Sequence, residues 1–430
     1  MNPSRSSSRG SLRRWLGSSI NELAIAWWTC TSYPLMYFTD GRNEFVLFIP
    51  IAIGAPLFLW LTWRKPVLAH VDPVVTTGVF LLLVSIVGSY LFNSEFYELV
   101  QIGGNTVSAL LMFLSLYIIV MKMEIDFQKL LIFQAIYIEI FMPEVIRTSA
   151  NVWGRLEPAA LTMNFAAMMG IVAFLGAVAA RSLIWTPILA ILPLYTMVMM
   201  QSRGSMIATS LATIIIAGCW VWERRSRRML KQAGLLTVFG GIAAFGAALA
   251  GFNIFEMIGD QINHVLMLDD SNRGVDSGGS GRSDLWAAAY NLWATHPIFG
   301  VGFKGHTQFM PGNMLAHNAF LGLLADNGLV GLFGYMLLSI GACICLLRRG
   351  FKGVTMFGYR AAILFPYFVY GMVESRAFSF GNTYSVLFLL VAFDSSKFRV
   401  SRVDAPKPAF ENAASPQARQ EQQPVGTLSP

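Results

Sequence analysis

The sequence predicts an all-α, polytopic membrane protein with about 12 transmembrane helices and a large outer loop containing short amphipathic helices. Three observations carry this expectation. Of 430 residues, 55% are hydrophobic and 13% are charged, and the mean hydropathy is +0.55, a balance suited to lipid. Apolar stretches recur along the chain at close to the roughly 20 residues that a spanning helix needs. Lysine and arginine are dense in alternate connections and sparse in those between.

The apolar stretches lie near 20–38, 45–63, 74–93, 104–121, 129–142, 159–179, 183–200, 205–222, 232–254, 328–347, 356–373 and 382–394, the fifth and twelfth being short. Backbone groups cannot be left unpaired in hydrocarbon, and these runs are too long and too uniformly apolar for barrel strands, so they should be helices. In the ninth, Gly240, Ala244 and Ala248 recur on one face and permit close helix packing.

With the amino terminus inside, 23 of the 31 basic residues fall on the inner side, including the run Arg224, Arg225, Arg227, Arg228 and Lys231. The outer side keeps Arg42, Arg147, Arg155, Arg203, Arg273, Arg282, Lys304 and Arg376. An even number of spans then leaves both ends inside. The net charge of +7 follows from topology and from contact with anionic lipid; it does not describe a nucleic-acid surface. Residues 1–19 form a Ser- and Arg-rich cytoplasmic leader without a cleavage site, and 401–430 a Pro-, Gln- and Ser-rich tail expected to be disordered. Cys30, Cys219, Cys343 and Cys345 all fall within apolar spans, where they act as small hydrophobes and cannot staple the outer loops.

The outer segment from about 256 to 327 is long enough to require a function or to be disordered. Asp269–Gly281 has the Gly, Ser and Asp content of a mobile strip; Asp270 and Asn272 resemble the start of a calcium loop, but the remaining ligands are out of register, so no metal site is assigned. DLWAAAYNLWATHP follows with helical spacing, and Trp286, Tyr290 and Trp293 form a stripe suited to a membrane interface or protein rim. Ser283 is a natural N-cap for this helix. Arg282 would then stand beside the helix's positive end, where guanidinium and free amides could hold a phosphate together, or Asp284 could neutralise it. IFGVGFKGH is a glycine-punctuated turn, weak as a phosphate loop.

His317 and Asn318 open another amphipathic helix, which ends near Asn327 and Gly328 at a bend into the tenth span. A helix N-terminus disfavours imidazolium, so His317 could accept a proton as a general base, or it could simply cap the helix. His264, His296 and His306 have no comparable setting, and His70 falls on the inner side. Gln201, Ser202, Arg203, Gly204 and Ser205 form a tight turn with Arg203 at the membrane boundary. Arg155 lies in WGRLEP before the sixth span, whose Asn164 is about two turns in. One interfacial arginine usually only reaches for headgroups. Three on the outer side beside a candidate base suggest a site for an anionic, lipid-linked substrate.

The pieces SRG at 202–204, GRSDLW at 281–286, PIFGVG at 297–302 and HNAFLGLLADNGLVG at 317–331 resemble the O-antigen ligase and Wzy-type polysaccharide polymerase superfamily. The resemblance covers about 130 residues by motif, and the span count extends it to the chain. It implies an inverting, metal-independent glycosyltransferase without cofactors, over about 20–400, in the bacterial inner membrane with its active site and large loop in the periplasm. The donor would be a glycan on undecaprenyl diphosphate, the partners a glycan acceptor, membrane lipid and other polysaccharide-assembly proteins. Arg203 and Arg282 would hold the diphosphate with help from Arg155, and His317 would activate the acceptor hydroxyl. The acceptor could be another repeat unit, making a polymerase of exopolysaccharide or O-antigen, or a lipid A core sugar, making a ligase. A flippase for lipid-linked glycan is the alternative from another class, though Glu139 is the one clear charge within a span. A peptidoglycan polymerase would share the donor chemistry but not the HN and SRG motifs.

Overall fold

The computed structural model describes residues 19–38, 48–92, 99–152, 155–158, 163–182, 184–223, 278–349, 354–374 and 382–399. The leader, the ninth apolar stretch with its Gly240 face, the Arg224–Lys231 run, the calcium-like residues and the tail lie outside them. The described chain is mostly helical: α1 Ile20–Cys30, α2 Ser32–Phe38, α3 Phe48–Thr62, α4 Pro73–Phe92, α5 Leu99–Lys122, α6 Phe127–Thr148, α7 Met163–Ala179, α8 Trp185–Met199, α9 Arg203–Glu223, α10 Gly278–Thr295, α11 Ala319–Arg349, α12 Val354–Val373 and α13 Thr383–Ser396. Eleven of the twelve apolar stretches thus coincide with helix. Asn164 lies within α7 as described, Met163–Ala179.

Among the described residues, four segments are long and apolar enough to cross a membrane: Pro73–Phe92, Gly103–Lys122, Arg203–Glu223 and Ala319–Arg349. Side chains such as Phe80, Ile140, Ile191 and Ile214 are largely exposed, and their helices present an apolar surface larger than a water-soluble monomer tolerates. The short α13 behaves differently: each of its residues is buried, and it packs against α11, α12, α7, α5 and α1. A helix enclosed by protein has no lipid thickness to match, which accounts for its 14 residues.

The all-α expectation needs one correction. Two small two-stranded sheets are present, β1 (Ala69–Val71) with β4 (Lys397–Arg399), and the antiparallel hairpin β2 (Ala150–Val152) with β3 (Arg155–Glu157). They lie in connections between helices and, for β4, just after α13, where backbone groups released from helical pairing find each other.

One end of the bundle is fixed by a charged cluster. Asp394, 1% exposed, accepts from Arg360 Nε and Nη2 at 3.1 and 2.7 Å and pairs with Lys397 Nζ at 2.6 Å. Arg349 donates to the Asp394 carbonyl at 2.9 Å. Trp60, Trp63 and Trp185 flank the basic residues 64–65 and 181 at this end and are exposed, as interfacial tryptophans are.

Helices α4 and α11 run antiparallel in close contact. A Cβ on Gly78 would stand 2.7 Å from the Gly334 carbonyl, and one on Gly334 2.7 Å from the Leu82 amide, so the two backbones meet through glycine. Helix α11 is interrupted at Gly328 (φ 61°, ψ −164°), a region of backbone space essentially reserved for glycine. This is the bend expected between Asn327 and the tenth span. A Cβ here would also collide with the Ile298 carbonyl. Gly328→Ala is therefore expected to lower stability by about 3 kcal/mol, read as a lower thermal midpoint of the solubilised protein.

Candidate functional site

The opposite end gathers the sequence motifs, and the break at Gly328 organises them. A helix break releases backbone groups that need new partners. The PIFGVG segment supplies them: Val301 and Gly302 amides donate to the Ala325 and Asp326 carbonyls at 2.9 Å, while Leu329 and Val330 amides donate to Pro297 and Ile298 carbonyls at 2.9 and 3.2 Å. Gly300 and Gly302 take positive φ to make the turn. The glycine-punctuated segment is thus a clip on α11, and the amides of Val301 and Gly302 are already committed to helix carbonyls.

His306 closes the clip, which corrects the expectation that it lacks a distinctive setting. Its backbone N–H donates to Asp326 Oδ1 at 2.8 Å, and its Nδ1 lies 2.8 Å from the same oxygen, with both residues buried. Burial acts to lower the ring's pKa, but the Asp326 charge and hydrogen bond outweigh it, and the pKa is raised above the usual histidine value. A raised folded-state pKa stabilises fully below the unfolded value, about 6.5, and that contribution is lost as pH rises through the folded value. Amide exchange in 297–306 should therefore speed up as pH rises through that window, beyond its intrinsic increase. Asp326→Asn should abolish this excess and cost about 3 kcal/mol, measured by thermal unfolding.

The SRG turn is built with equal economy. At the end of α8 the Gln201 amide donates to the Val198 carbonyl at 2.9 Å and the Ser202 amide to the Met197 carbonyl at 3.2 Å, with Gln201 at φ 51°. This is a Schellman motif, the glycine-preferring position taken by glutamine. Helix α9 then begins at Arg203, whose neighbours Ser202 and Ser205 join hydroxyls at 2.9 Å. Arg203 is therefore beside first-turn amides that have no acceptor within their own helix.

That arrangement was expected at Arg282, and here the structure differs. Helix α10 covers Gly278–Thr295, so Ser283 is interior and no N-cap, and half-buried Arg282 lies within the helix. Helix extension adds one hydrogen bond per residue once a turn exists, which carries α10 back through glycines of low propensity. The ion pairs among the described residues do not include one between Arg282 and exposed Asp284. One turn on from Arg282, Leu285 packs with Ala289, Met310 and Ala316, which ties α10 to the residue preceding His317. Trp286 and Tyr290 remain exposed, as a rim stripe would be.

His317 has a left-handed backbone (φ 48°) just outside α11. Asn318 is the N-cap: its Oδ1 accepts from the Phe320 and Leu321 amides at 3.0 Å, and its Nδ2 donates to the Met372 carbonyl at 3.3 Å. The imidazole is 28% exposed, yet its Nδ1 is enclosed and without a hydrogen bond among the described residues, 3.9 Å from Glu374 Oε2. The exposed part of the ring is thus not Nδ1. Glu374 itself is 4% exposed. It was not singled out from the sequence, where 57 residues separate it from His317 and its one signal was an acid at the boundary of a span.

Contacts join these pieces. A Cβ on Gly204 would stand 2.8 Å from Val373 Cγ2, so the first turn of α9 touches the residue before Glu374. Arg203, His317 and Glu374 thereby share one end of the bundle, with the Arg282 helix packed beside them. Arg155 is on β3, opposite Val152, in the hairpin that follows α6 at the same end, and no described contact joins it to the others.

No curated protein matches the chain. The family model described as O-antigen ligase matches residues 188–336, about a third of the chain, a range that contains Arg203, Arg282 and His317 and leaves Arg155 and Glu374 outside. The segment from α8 through the bend in α11, with the SRG turn, the glycine clip and the capped histidine, is similar to the O-antigen ligase family.

Proposed function

We propose that this chain is an integral-membrane glycosyltransferase of the bacterial inner membrane that acts at the periplasmic face on glycan carried by undecaprenyl diphosphate, polymerising repeat units of exopolysaccharide or O-antigen. The observation that carries this reading is the placement of Arg203 and His317 at one end of a helical bundle, within the range matched to the O-antigen ligase family. Twelve spans with both termini cytoplasmic would set that end outside; the opposite end, with its cationic residues and tryptophans, suits the cytoplasmic surface. The large loop of about 256–327 would then be periplasmic.

In this mechanism Arg203, aided by the first-turn amides of α9, and Arg282 hold the diphosphate and stabilise the charge that develops as it leaves. Arg155 assists. Their guanidinium charges take the part that a metal ion plays in other sugar-diphosphate enzymes, so no cofactor is required. His317 Nε2 takes the acceptor hydroxyl's proton as its oxygen attacks the anomeric carbon on the face opposite the departing diphosphate, which inverts the configuration. A diphosphate leaving group brings its own driving force, and no nucleotide site is needed.

The acceptor decides between polymerase and ligase. Protein in nanodiscs is incubated with undecaprenyl-diphosphate-linked repeat unit, with and without lipid A core, and products are resolved by size. A ladder from donor alone is expected. Product that forms only with lipid A core would make the chain a ligase, and donor movement without transfer would make it a flippase.

A further inference from the structure

We infer that Glu374 is a positioning residue for His317: its carboxylate faces ring Nδ1, holds the proton there, and balances the charge formed when Nε2 takes the acceptor proton. The inference rests on the glycosyltransferase reading above, and lies outside the family-matched range.

Three features of the fold lead to it. A carboxylate that is 4% exposed loses its hydration and needs compensating charge or hydrogen bonds. Glu374 follows directly on the C-terminus of α12, the negative end of that helix, which adds to the cost. A group in reach that can return this energy is His317, at 3.9 Å.

The approach is set by structure on both sides. Asn318 caps α11 through its Oδ1 and grips the Met372 carbonyl through its Nδ2, so the residue after His317 is tied to the chain two residues before Glu374. His317 itself takes a positive φ of 48° at this junction, and its Nδ1 lies 3.9 Å from Glu374 Oε2. At 3.9 Å the contact is longer than a hydrogen bond, and catalytic contacts of this kind commonly tighten when substrate binds.

The chemistry balances. With Nδ1 protonated and facing the carboxylate, Nε2 carries the lone pair. The acceptor O–H gives its proton to Nε2, the oxygen forms a bond to the anomeric carbon, and the bond from that carbon to the diphosphate oxygen breaks with its electron pair leaving on the diphosphate. The imidazolium is paired with an ionised Glu374, which stays ionised, and the proton passes to water after release.

The full-length protein in nanodiscs provides the test. Glu374→Gln is expected to lower kcat about 100-fold or more, with the KM for donor changed less than about threefold, because the diphosphate contacts are elsewhere. In a His317→Ala background the same substitution should change the residual rate less than about twofold, since the two residues act as a unit. A Glu374→Gln variant with near wild-type kcat, or one that lowers the residual rate of His317→Ala by its full factor, overturns the inference. Should the glutamine variant fail to bind donor, Glu374→Asp is put through the same comparison. It keeps the charge but withdraws it, and is expected at about a tenth of wild-type kcat or less; wild-type kcat overturns the assignment. Absence of transfer by the wild-type protein is a separate failure, that of the functional reading. An inert His317→Ala beside an active Glu374→Gln removes only Glu374's role.

Discussion

His317→Ala is expected to lower glycan transfer about 100- to 10,000-fold and to leave donor binding close to that of the wild type. A large effect is expected because a hydroxyl is a poor nucleophile until a base lies within reach of its proton, and the His317 ring is part-exposed with its Nδ1 enclosed near Glu374. The fold should survive the substitution, since Asn318 supplies the cap of α11 and the tie to Met372 without the imidazole. Single-turnover measurements with labelled donor, paired with equilibrium donor binding, separate the two quantities. Near-normal turnover would remove the general base from the mechanism.

Arg203→Ala weakens both steps, with kcat reduced about 100- to 1,000-fold as a stabiliser of the leaving charge is lost. Donor affinity falls with it, because the same guanidinium holds the diphosphate in the ground state. Arg203→Lys is expected to recover part of the binding and little of the rate, since a point charge cannot meet two phosphate oxygens as a planar fork does. Arg203 is the first residue of α9, held there by the Schellman turn through Gln201 and by the contact of Gly204 with Val373. Full activity in the lysine variant, measured as kcat and KM for donor, would reduce the requirement to generic charge.

Much of the bundle could be read from the sequence because solvation by lipid imposes a strong, repetitive constraint. Eleven apolar stretches coincide with helix, and the bend at Gly328 followed from glycine at the end of an amphipathic run. The start of α11 near His317 and Asn318 was equally legible, since cap chemistry is local, though the cap is Asn318 and not the histidine. Ser283 misled for the same reason: a good cap residue was visible, but the helix through Gly278 and Gly279 depends on extension that local propensity argues against. The arrangement of guanidinium and helix amides expected at Arg282 occurs at Arg203 instead. The His306–Asp326 pair spans 20 residues and Glu374–His317 spans 57, and neither spacing belongs to a helical or strand period. Those pairs exist because α11 breaks and folds a loop against itself, and because α12 returns to the same end of the bundle. Both are consequences of tertiary packing.

The central claim is that the end of the bundle holding Arg203 and His317 transfers glycan from a lipid diphosphate. Its most direct measurement is the release of free undecaprenyl diphosphate by the protein in nanodiscs, followed alongside glycan product for the wild type and His317→Ala. The account predicts release in step with glycosidic bond formation by the wild type and the loss of both in the variant. No release by the wild type, or undiminished release and bond formation by His317→Ala, would contradict it.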